Sequence, residues 1–184
     1  MLPEGKADES GYTEMRERAM KHKAAFIMQN DRREEDKAFL VEYEAAEKIL
    51  ERTEVIRGST RDIALAERVD VSYIREKRRE NAIILREALK DWLIFPNMGE
   101  NDCPMFVPIL VPGGKRDELR KYLISEKVYC PVHWPISKEH VLNQKEQALY
   151  ENELSIVCDQ RYTKEDMYRI IDIINQFRKG TKQC

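Results

Sequence analysis

The stretch Glu153-Leu-Ser-Ile-Val-Cys-Asp-Gln-Arg-Tyr-Thr-Lys-Glu-Asp-Met167 passes from one apolar pattern to another. Its first part, Glu153 to Cys158, is short and rich in apolar and β-branched side chains, which is typical of a buried strand. Thr163 is a good helix N-cap, and the residues after it place an apolar side chain at every third or fourth position. These apolar positions are Met167, Ile170, Ile171, Ile174 and Phe177. We therefore expect a strand, a loop and a long helix that packs along one face.

The residues before this stretch predict two further strands and a helix. Met105 to Val111 reads as a strand closed by Pro112-Gly113-Gly114, and the proline at position 108 favours an edge strand or a bulge. Lys115 to Glu126 has helical spacing, and Val128 to Trp134 alternates like a strand until Pro135. The second half is thus predicted to be an α+β unit, a three-stranded antiparallel sheet covered by helices.

The first half of the chain predicts helices only. Apolar residues at helical spacing begin at Tyr12 and are repeated from Phe39 to Leu50, which indicates two amphipathic helices joined as a hairpin. Ser59 or Thr60 can cap a short helix that ends near Glu67, and Asp70 or Ser72 can cap a long one that reaches Trp92. We expect a mobile lead-in over residues 1–11, a helical extension with linker and interface helices over 12–92, and a small C-terminal domain over 93–180.

Composition restricts the possible functions. Lys and Arg number 32 against 34 Asp and Glu, so net charge gives no general attraction to nucleic acid or to an anionic membrane. No apolar run approaches the roughly 20 residues of a spanning helix, and the four dispersed cysteines favour reduced thiols in a cytoplasmic protein. His22, His133 and His140 have no metal-ligand spacing with the cysteines or with each other, so we predict no metal site.

Three segments in sequence carry a resemblance to a known family. They are the strand Phe106 to Val111, the segment Arg116 to Leu123 with Val128-Tyr-Cys-Pro-Val-His-Trp-Pro135 behind it, and Leu154 to Asp166, which contains Cys158-Asp-Gln-Arg-Tyr162 and leads into the last helix. The long helix that precedes them, with Tyr73-Ile-Arg-Glu-Lys-Arg-Arg-Glu-Asn81, adds to the resemblance. In this order and spacing they resemble the C-terminal part of fold-type I pyridoxal-phosphate-dependent aminotransferases of the sugar-aminotransferase (DegT-like) type. The match covers about Tyr73 to Phe177. In that family the long helix links the large and small domains.

The resemblance implies a role for this part of such an enzyme. The small domain closes over cofactor and substrate, and the helical first half packs at the interface of a homodimer. His133 and Trp134 would face the substrate, Arg161 could meet a substrate carboxylate, and Ser59 would reach the cofactor phosphate. The substrates implied for the complete form are an amino donor and a keto-sugar acceptor, with no nucleic acid and no membrane as partner.

The chain departs from the family in the residues that perform the chemistry. Pyridoxal phosphate needs a lysine for the aldimine, an acid on the pyridine nitrogen and a backbone nest for the phosphate, and the large domain supplies all three. Lys6 is the only lysine near the expected region, and nothing around it predicts a strand that could lower its pKa. We therefore expect a truncated form with no catalytic residue, no bound cofactor and no activity alone. The junction Glu126-Lys127-Val128 also lacks a glycine that the family often has.

Simpler interpretations stand beside these assignments. His133 could be a packed histidine at a strand end, and Arg161 could form a local ion pair with Asp159 or Asp166. A different class of function is a dimerisation or interaction module derived from the small domain. A third is a helix-turn-helix DNA-binding regulator, because Ser59 to Arg79 contains a short capped helix, a turn and an arginine-rich helix. Interleaved glutamates weaken that basic patch.

Overall fold

A computed structural model describes residues 11–28, 37–51, 60–133 and 136–180. The chain divides into two compact units, Met1–Val69 and Asp70–Cys184. Helices account for most of the described residues, and the one sheet among them has two strands. The molecule is therefore a mixed α+β protein in which helices dominate.

The first unit contains three helices, α1 (Tyr12–Met28), α2 (Ala38–Leu50) and α3 (Thr60–Glu67). The hairpin predicted for the first two is confirmed, because α1 and α2 run antiparallel. Phe26 meets Phe39 with ring centroids 5.4 Å apart, while Arg18 donates to Glu42 at 3.0 Å. Ala19 and Ala46 are fully buried, and such small side chains allow two helices to approach closely.

The second unit begins with α4 (Val71–Ala88), which is followed by a 3-10 turn at Lys90–Trp92. The predicted cap is confirmed, since the Asp70 carboxylate accepts a hydrogen bond of 2.9 Å from the backbone N–H of Tyr73. The remaining elements follow in chain order. They are β1 (Phe106–Leu110), a 3-10 turn (Pro112–Gly114), α5 (Arg116–Ser125), α6 (Gln144–Asn152), β2 (Glu153–Val157) and α7 (Lys164–Gly180).

The sheet has two strands where the sequence predicted three. β1 and β2 are antiparallel, with Phe106 opposite Val157 and Leu110 opposite Glu153. On its other side β1 forms an isolated bridge between Leu93 and Ile109. The prediction of a third strand over Val128 to Trp134 is wrong for the part of that segment that the structure describes, residues 128–133.

The missing strand has a local cause. Val128 and Cys130 are buried while Tyr129 between them is 62% exposed, so the alternation is real. The backbone groups, however, have other partners. The N–H of Val128 donates to Leu123 at 2.8 Å, and the carbonyl of Cys130 accepts from the Arg120 side chain at 3.3 Å. The next residue is Pro131, which has no N–H to offer a neighbouring strand.

One hydrophobic core holds the second unit together. α4 and α5 both pack against α7, α4 contacts β1, and α5 contacts β2. Apolar side chains from all of these elements are fully buried. The largest are Leu85, Leu89, Ile109, Leu119, Leu123, Leu154, Ile156, Met167 and Ile174. The stripe predicted for α7 is confirmed at Met167, Ile170 and Ile174, which are buried in this core.

The end of α5 forms a glycine-type helix ending without a glycine. Lys127 has a φ of 64°, the left-handed conformation that usually selects glycine. Its N–H donates to Ile124 at 2.9 Å, and the next N–H, of Val128, donates to Leu123. These two bonds are the pair that closes a helix in a Schellman motif. The backbone therefore makes the glycine-type ending with a lysine.

One helix was missed from the sequence. Residues 136–152 carry no clear apolar period, yet α6 forms there with a capping box in which Asn143 and Glu146 satisfy each other's backbone N–H groups. That spacing of an N-cap residue and a glutamate was the available signal.

The boundary between the two units falls earlier than the predicted division at residues 92 and 93. α4, which we placed with the helical extension, lies within the second unit. The functional division at 92 and 93 stays a prediction, and the lead-in over residues 1–10 lies outside the described residues. Within the described ranges, no helix is long and apolar enough to cross a membrane.

Candidate functional site

Asn81 connects two of the segments that carry the family resemblance. It lies on α4, is fully buried, and its side-chain Nδ2 lies within hydrogen-bonding distance of three carbonyl oxygens in the loop between β2 and α7. The distances are 3.4 Å to Cys158, 3.2 Å to Asp159 and 3.0 Å to Tyr162. Arg78 adds a 2.6 Å bond from Nε to the Gln160 side chain. The loop Cys158 to Tyr162 is thus held directly on α4.

Within that loop, Arg161 forms a two-point ion pair with Asp159. Its Nε donates to Oδ1 at 2.9 Å and its Nη2 to Oδ2 at 2.7 Å, while its backbone N–H also donates to Oδ1 at 3.0 Å. The Asp159 side chain is 2% exposed and that of Arg161 is 70% exposed. Hydrogen bonding to Arg161 lowers the pKa of Asp159, and the same bonds raise the pKa of Arg161.

The ion pair settles which local partner Arg161 uses. Asp166, the other acid we considered, accepts instead from the backbone N–H of Thr163 at 2.8 Å at the start of α7. Arg161 remains largely exposed beside its pair, over the ring of Tyr162. Binding of a substrate carboxylate by Arg161 stays a prediction.

We expect Asp159→Asn to remove part of the acid sensitivity of the second unit. Because the folded-state pKa of Asp159 is lowered, its ion pair stabilises the fold above the usual pKa of an aspartate and is lost as pH falls through the folded-state pKa. At pH 7 the variant should unfold about 1–2 kcal/mol more easily, less than the roughly 1.5–3 kcal/mol of a well-buried hydrogen bond to a charged group, because the Arg161 side chain is largely exposed to water. This difference should shrink below about pH 4.

Urea titrations from pH 7 to pH 2, followed by tryptophan fluorescence, measure this effect. Asp172→Asn, an exposed position on α7, is the matched control and should behave like the parent protein at every pH. A deficit for Asp159→Asn that stays constant down to pH 2 would contradict the assigned ion pair.

His133 lies at one side of an open groove. Its imidazole packs against the Phe106 ring, with centroids 5.0 Å apart and the planes at 73°. The groove has a volume of about 350 Å³. Its walls come from both strands, the segment before β1, and α6. They are formed by Ile94, Phe95, Met105, Phe106, Pro108, His133, Leu149, Glu153 and Ser155. His133 is therefore a wall of an apolar groove and is also a packed side chain.

The other predicted site residues cannot be placed beside it. Ser59 and Trp134 lie outside the described residues. Arg161 is not among the residues that line the groove. Of the predicted substrate residues, His133 lies in the wall of a cavity and Arg161 forms a salt bridge with Asp159.

The described walls of the groove beside His133 contain no lysine that could form an aldimine. Their charged member, Glu153, accepts a 2.6 Å bond from Ser155. Burial raises the pKa of Cys130 to about 11 and that of Cys158 to about 12, so both thiols stay protonated near neutral pH. Within the described ranges, no three His, Cys, Asp or Glu side chains are grouped for a metal ion. The groove thus fits an apolar surface better than a cofactor site.

The arginines of α4 also have roles that the sequence did not reveal. Arg75 donates to the carbonyl of Glu100 at 2.8 Å, and Arg79 donates to those of Gly99 and Asp102, both at 2.8 Å. These positions are one helical turn apart, so a single face of α4 holds the loop before β1. The arginine-rich pattern that suggested phosphate contacts is therefore used within the fold.

Comparison with known proteins gives a structural likeness. No family model and no curated protein matches the sequence. Among solved structures, the chain is similar to a DegT/DnrJ/EryC1/StrS aminotransferase from Brucella abortus, with 16% sequence identity and a TM-score of 0.44. The likeness covers 82% of this chain and 39% of that chain, so this chain spans about two-fifths of the length of that structure.

Proposed function

We propose that this chain is the C-terminal, small-domain portion of a pyridoxal-phosphate-dependent aminotransferase-like protein. In the complete form it would act on an amino donor and a keto-sugar acceptor. The observation that supports this proposal is the contact of Asn81 with the loop Cys158 to Tyr162. Asn81 and this loop belong to the parts of the sequence that carry the family resemblance.

The contact matters because it joins residues about 80 positions apart. Asn81 and Tyr162 are separated by 81 residues, yet the amide of one binds the carbonyl of the other. Since β2 enters this loop and α7 leaves it, the same bonds fix where the sheet meets its closing helix. The resembling segments therefore act as one structural unit, as expected for parts of one inherited domain.

In this proposal the second unit forms a wall of a substrate site that another domain completes. The open groove beside His133 has apolar walls, and Phe95 and Met105 in those walls are 61% and 44% exposed. Exposed apolar surface of this kind often marks a contact site. His133 would contact substrate there, Trp134 and Arg161 are proposed as further substrate contacts, and Ser59 would contact the cofactor phosphate.

We predict that the chain alone forms no specific aldimine with pyridoxal phosphate. Its described groove offers no lysine, so any reaction should be the weak, unsaturable one of surface amines. Absorbance titration followed by borohydride trapping and peptide mass analysis tests this. Lys6→Ala is the matched variant, and it should give the same trace as the parent chain. A saturable, one-to-one adduct that disappears in Lys6→Ala would show instead that the chain is a catalyst by itself.

The lineage has a separate test in the coding sequence. If the gene continues upstream in frame, we expect a segment that predicts a strand and a lysine able to form the aldimine. A complete reading frame without such a segment would contradict the enzyme proposal and favour the non-catalytic module.

The second candidate is a dimerisation or interaction module, and the surface of the first unit favours it. Exposed apolar side chains occur on α1 and α2, among them Met20 at 57%, Val41 at 69% and Leu50 at 52%. Such a surface suits a second copy of the chain. Analytical ultracentrifugation would reveal a dimer by its mass. A dimer is compatible with both candidates, so the upstream lysine segment decides between them.

The regulator hypothesis receives less support from the contacts. Arg75 and Arg79 of α4 bind loop carbonyls, as described above, and Lys77 binds Glu80 at 2.9 Å. Each of these bonds occupies a side-chain donor that the helix could otherwise direct at a phosphate group. A DNA mobility shift that weakens steeply with salt would be needed to favour this function.

A further inference from the structure

Two cysteines of the second unit lie close to one arginine of α4. The Arg78 side chain donates from Nη1 to the sulfur of Cys103 at 3.9 Å. The thiol of Cys158 donates to the carbonyl of Pro104, the residue that follows Cys103, at 3.6 Å. The backbone N–H of Cys158 donates to the next carbonyl, that of Met105, at 3.0 Å. Both thiols therefore belong to one cluster, although Cys158 and Pro104 are 54 positions apart in the sequence.

The groups of this cluster also act on each other through their charges. Burial is the main reason why the pKa of Cys158 is raised to about 12, and negative charge on Asp159 and on Cys103 raises this pKa as well. The positive charge of Arg78 lowers it. Electrostatic effects of this kind weaken with distance, so the sulfur of Cys103 is a near neighbour of the sulfur of Cys158.

The two thiols differ in their access to solvent. Cys103 is exposed and lies in the part of the chain before β1 that forms neither helix nor strand. Cys158 is fully buried. Reactive cysteines are typically accessible and have a cationic neighbour, and Arg78 is such a neighbour for Cys103. A dissolved oxidant therefore meets Cys103 first, and Cys158 can react only with a group that Cys103 carries to it.

We propose that Cys103 and Cys158 are a site of reversible oxidation, at which a small disulfide such as oxidised glutathione reacts with Cys103 and Cys158 then completes an internal disulfide. The proposed function does not involve this site, because neither cysteine lines the groove beside His133.

The reaction consists of two thiol–disulfide exchanges. In the first, the sulfur of Cys103 attacks one sulfur of oxidised glutathione, whose S–S bond breaks, and one glutathione leaves with the proton of Cys103. In the second, the sulfur of Cys158 attacks the sulfur of Cys103, and the other glutathione leaves with the proton of Cys158. Two protein thiols are oxidised, and one glutathione disulfide is reduced to two thiols.

The surroundings of Cys103 allow both steps. Cys103 lines an open cavity of about 400 Å³, which gives an incoming disulfide room beside the sulfur. A disulfide requires Cα atoms within about 7 Å of each other, and the loop that carries Cys103 can shift because it is outside the helices and strands. The new bond would join this loop to the start of the loop that carries Arg161.

Peptide mapping of the full chain tests the proposal. The reduced chain is incubated with oxidised glutathione, remaining thiols are blocked with iodoacetamide, and the chain is digested with trypsin without reductant. Trypsin leaves Cys103 in the peptide 91–115, Cys158 in 146–161 and Cys130 in 128–138. We expect 91–115 linked to 146–161, in at least about tenfold excess over any pair that contains 128–138, and separation of the linked pair by dithiothreitol.

Variants separate the roles of the two thiols. Cys158→Ala should stop the reaction after the first step, so that 91–115 carries one glutathione. Cys103→Ser should leave Cys158 reduced, with oxidation at least about tenfold slower than in the parent chain. Cys184→Ser is the matched control and should give the same linked pair as the parent chain. Thermal melting checks that each variant is folded. If Cys158→Ala does not fold, the parent map and Cys103→Ser, at an exposed position, provide the test.

Four results would overturn the proposal. They are no linked pair in the parent chain, a lasting glutathione on Cys103 while Cys158 is present, equal yields of pairs that contain Cys130 or Cys184, and unchanged oxidation of Cys158 in Cys103→Ser.

Discussion

Asn81→Asp should lower the free energy of unfolding of the second unit by about 3–5 kcal/mol, the usual effect of leaving a buried charge without a partner. Asn81 is fully buried, and its amide nitrogen faces the carbonyls of Cys158, Asp159 and Tyr162. Replacing that donor by a carboxylate oxygen brings negative charge to three acceptors. The loop would lose its attachment to α4 and would meet electrostatic repulsion.

Two further variants identify the cause. Asn81→Ala removes the donor without adding charge, so we expect a smaller loss, about 1–3 kcal/mol. Asn97→Asp makes the same chemical change at an exposed position and should have almost no effect. Both tryptophans, Trp92 and Trp134, lie within the second unit, so their fluorescence in urea reports its unfolding. A loss below about 1 kcal/mol for Asn81→Asp would mean that this contact contributes little to the fold.

Leu85→Ala should destabilise the same unit by about 3 kcal/mol. Leu85 lies on the buried face of α4 and has no exposed surface. It belongs to the core that α4 shares with β1 and α7. Truncation removes apolar contacts and leaves a cavity, and buried leucines commonly lose about 2–5 kcal/mol in this way.

Ile83→Ala is the matched control on the same helix. Ile83 is 43% exposed, so its truncation should change the free energy of unfolding by at most about 1 kcal/mol. The two variants share one denaturation experiment followed by tryptophan fluorescence. Equal losses at positions 83 and 85 would contradict the orientation of α4 in this fold.

The sequence predicted the helices well wherever an apolar stripe faced a core. α7 is the clearest case, because Met167, Ile170 and Ile174 repeat at helical spacing and all are buried. α6 was missed because it is a surface helix without buried residues, which removes the periodic signal. The third strand was predicted from real alternation at Val128 and Cys130, but alternation reports burial and does not report hydrogen-bonded pairing.

The site was harder to predict than the fold. Arg161 was recognised as a cation that could pair with Asp159, and the structure shows that pair. In the sequence, Asn81 stands out only as part of the family motif. No local pattern shows that its side-chain amide will contact a loop about 80 residues away. Cys103 and Cys158 are dispersed cysteines in the sequence. Only the fold brings them together beside Arg78.

A two-stranded sheet also has consequences for the behaviour of this protein at high concentration. Unpaired strand edges invite other chains to add strands and aggregate. Here the outer edge of β1 carries Pro108, which has no N–H, and its carbonyl accepts from Ile94 at 3.3 Å. The segment that was expected to add a third strand contains Pro131, which also has no N–H. Pro108 and Pro131 each remove an N–H that an added strand would need, which discourages the sheet from growing between molecules.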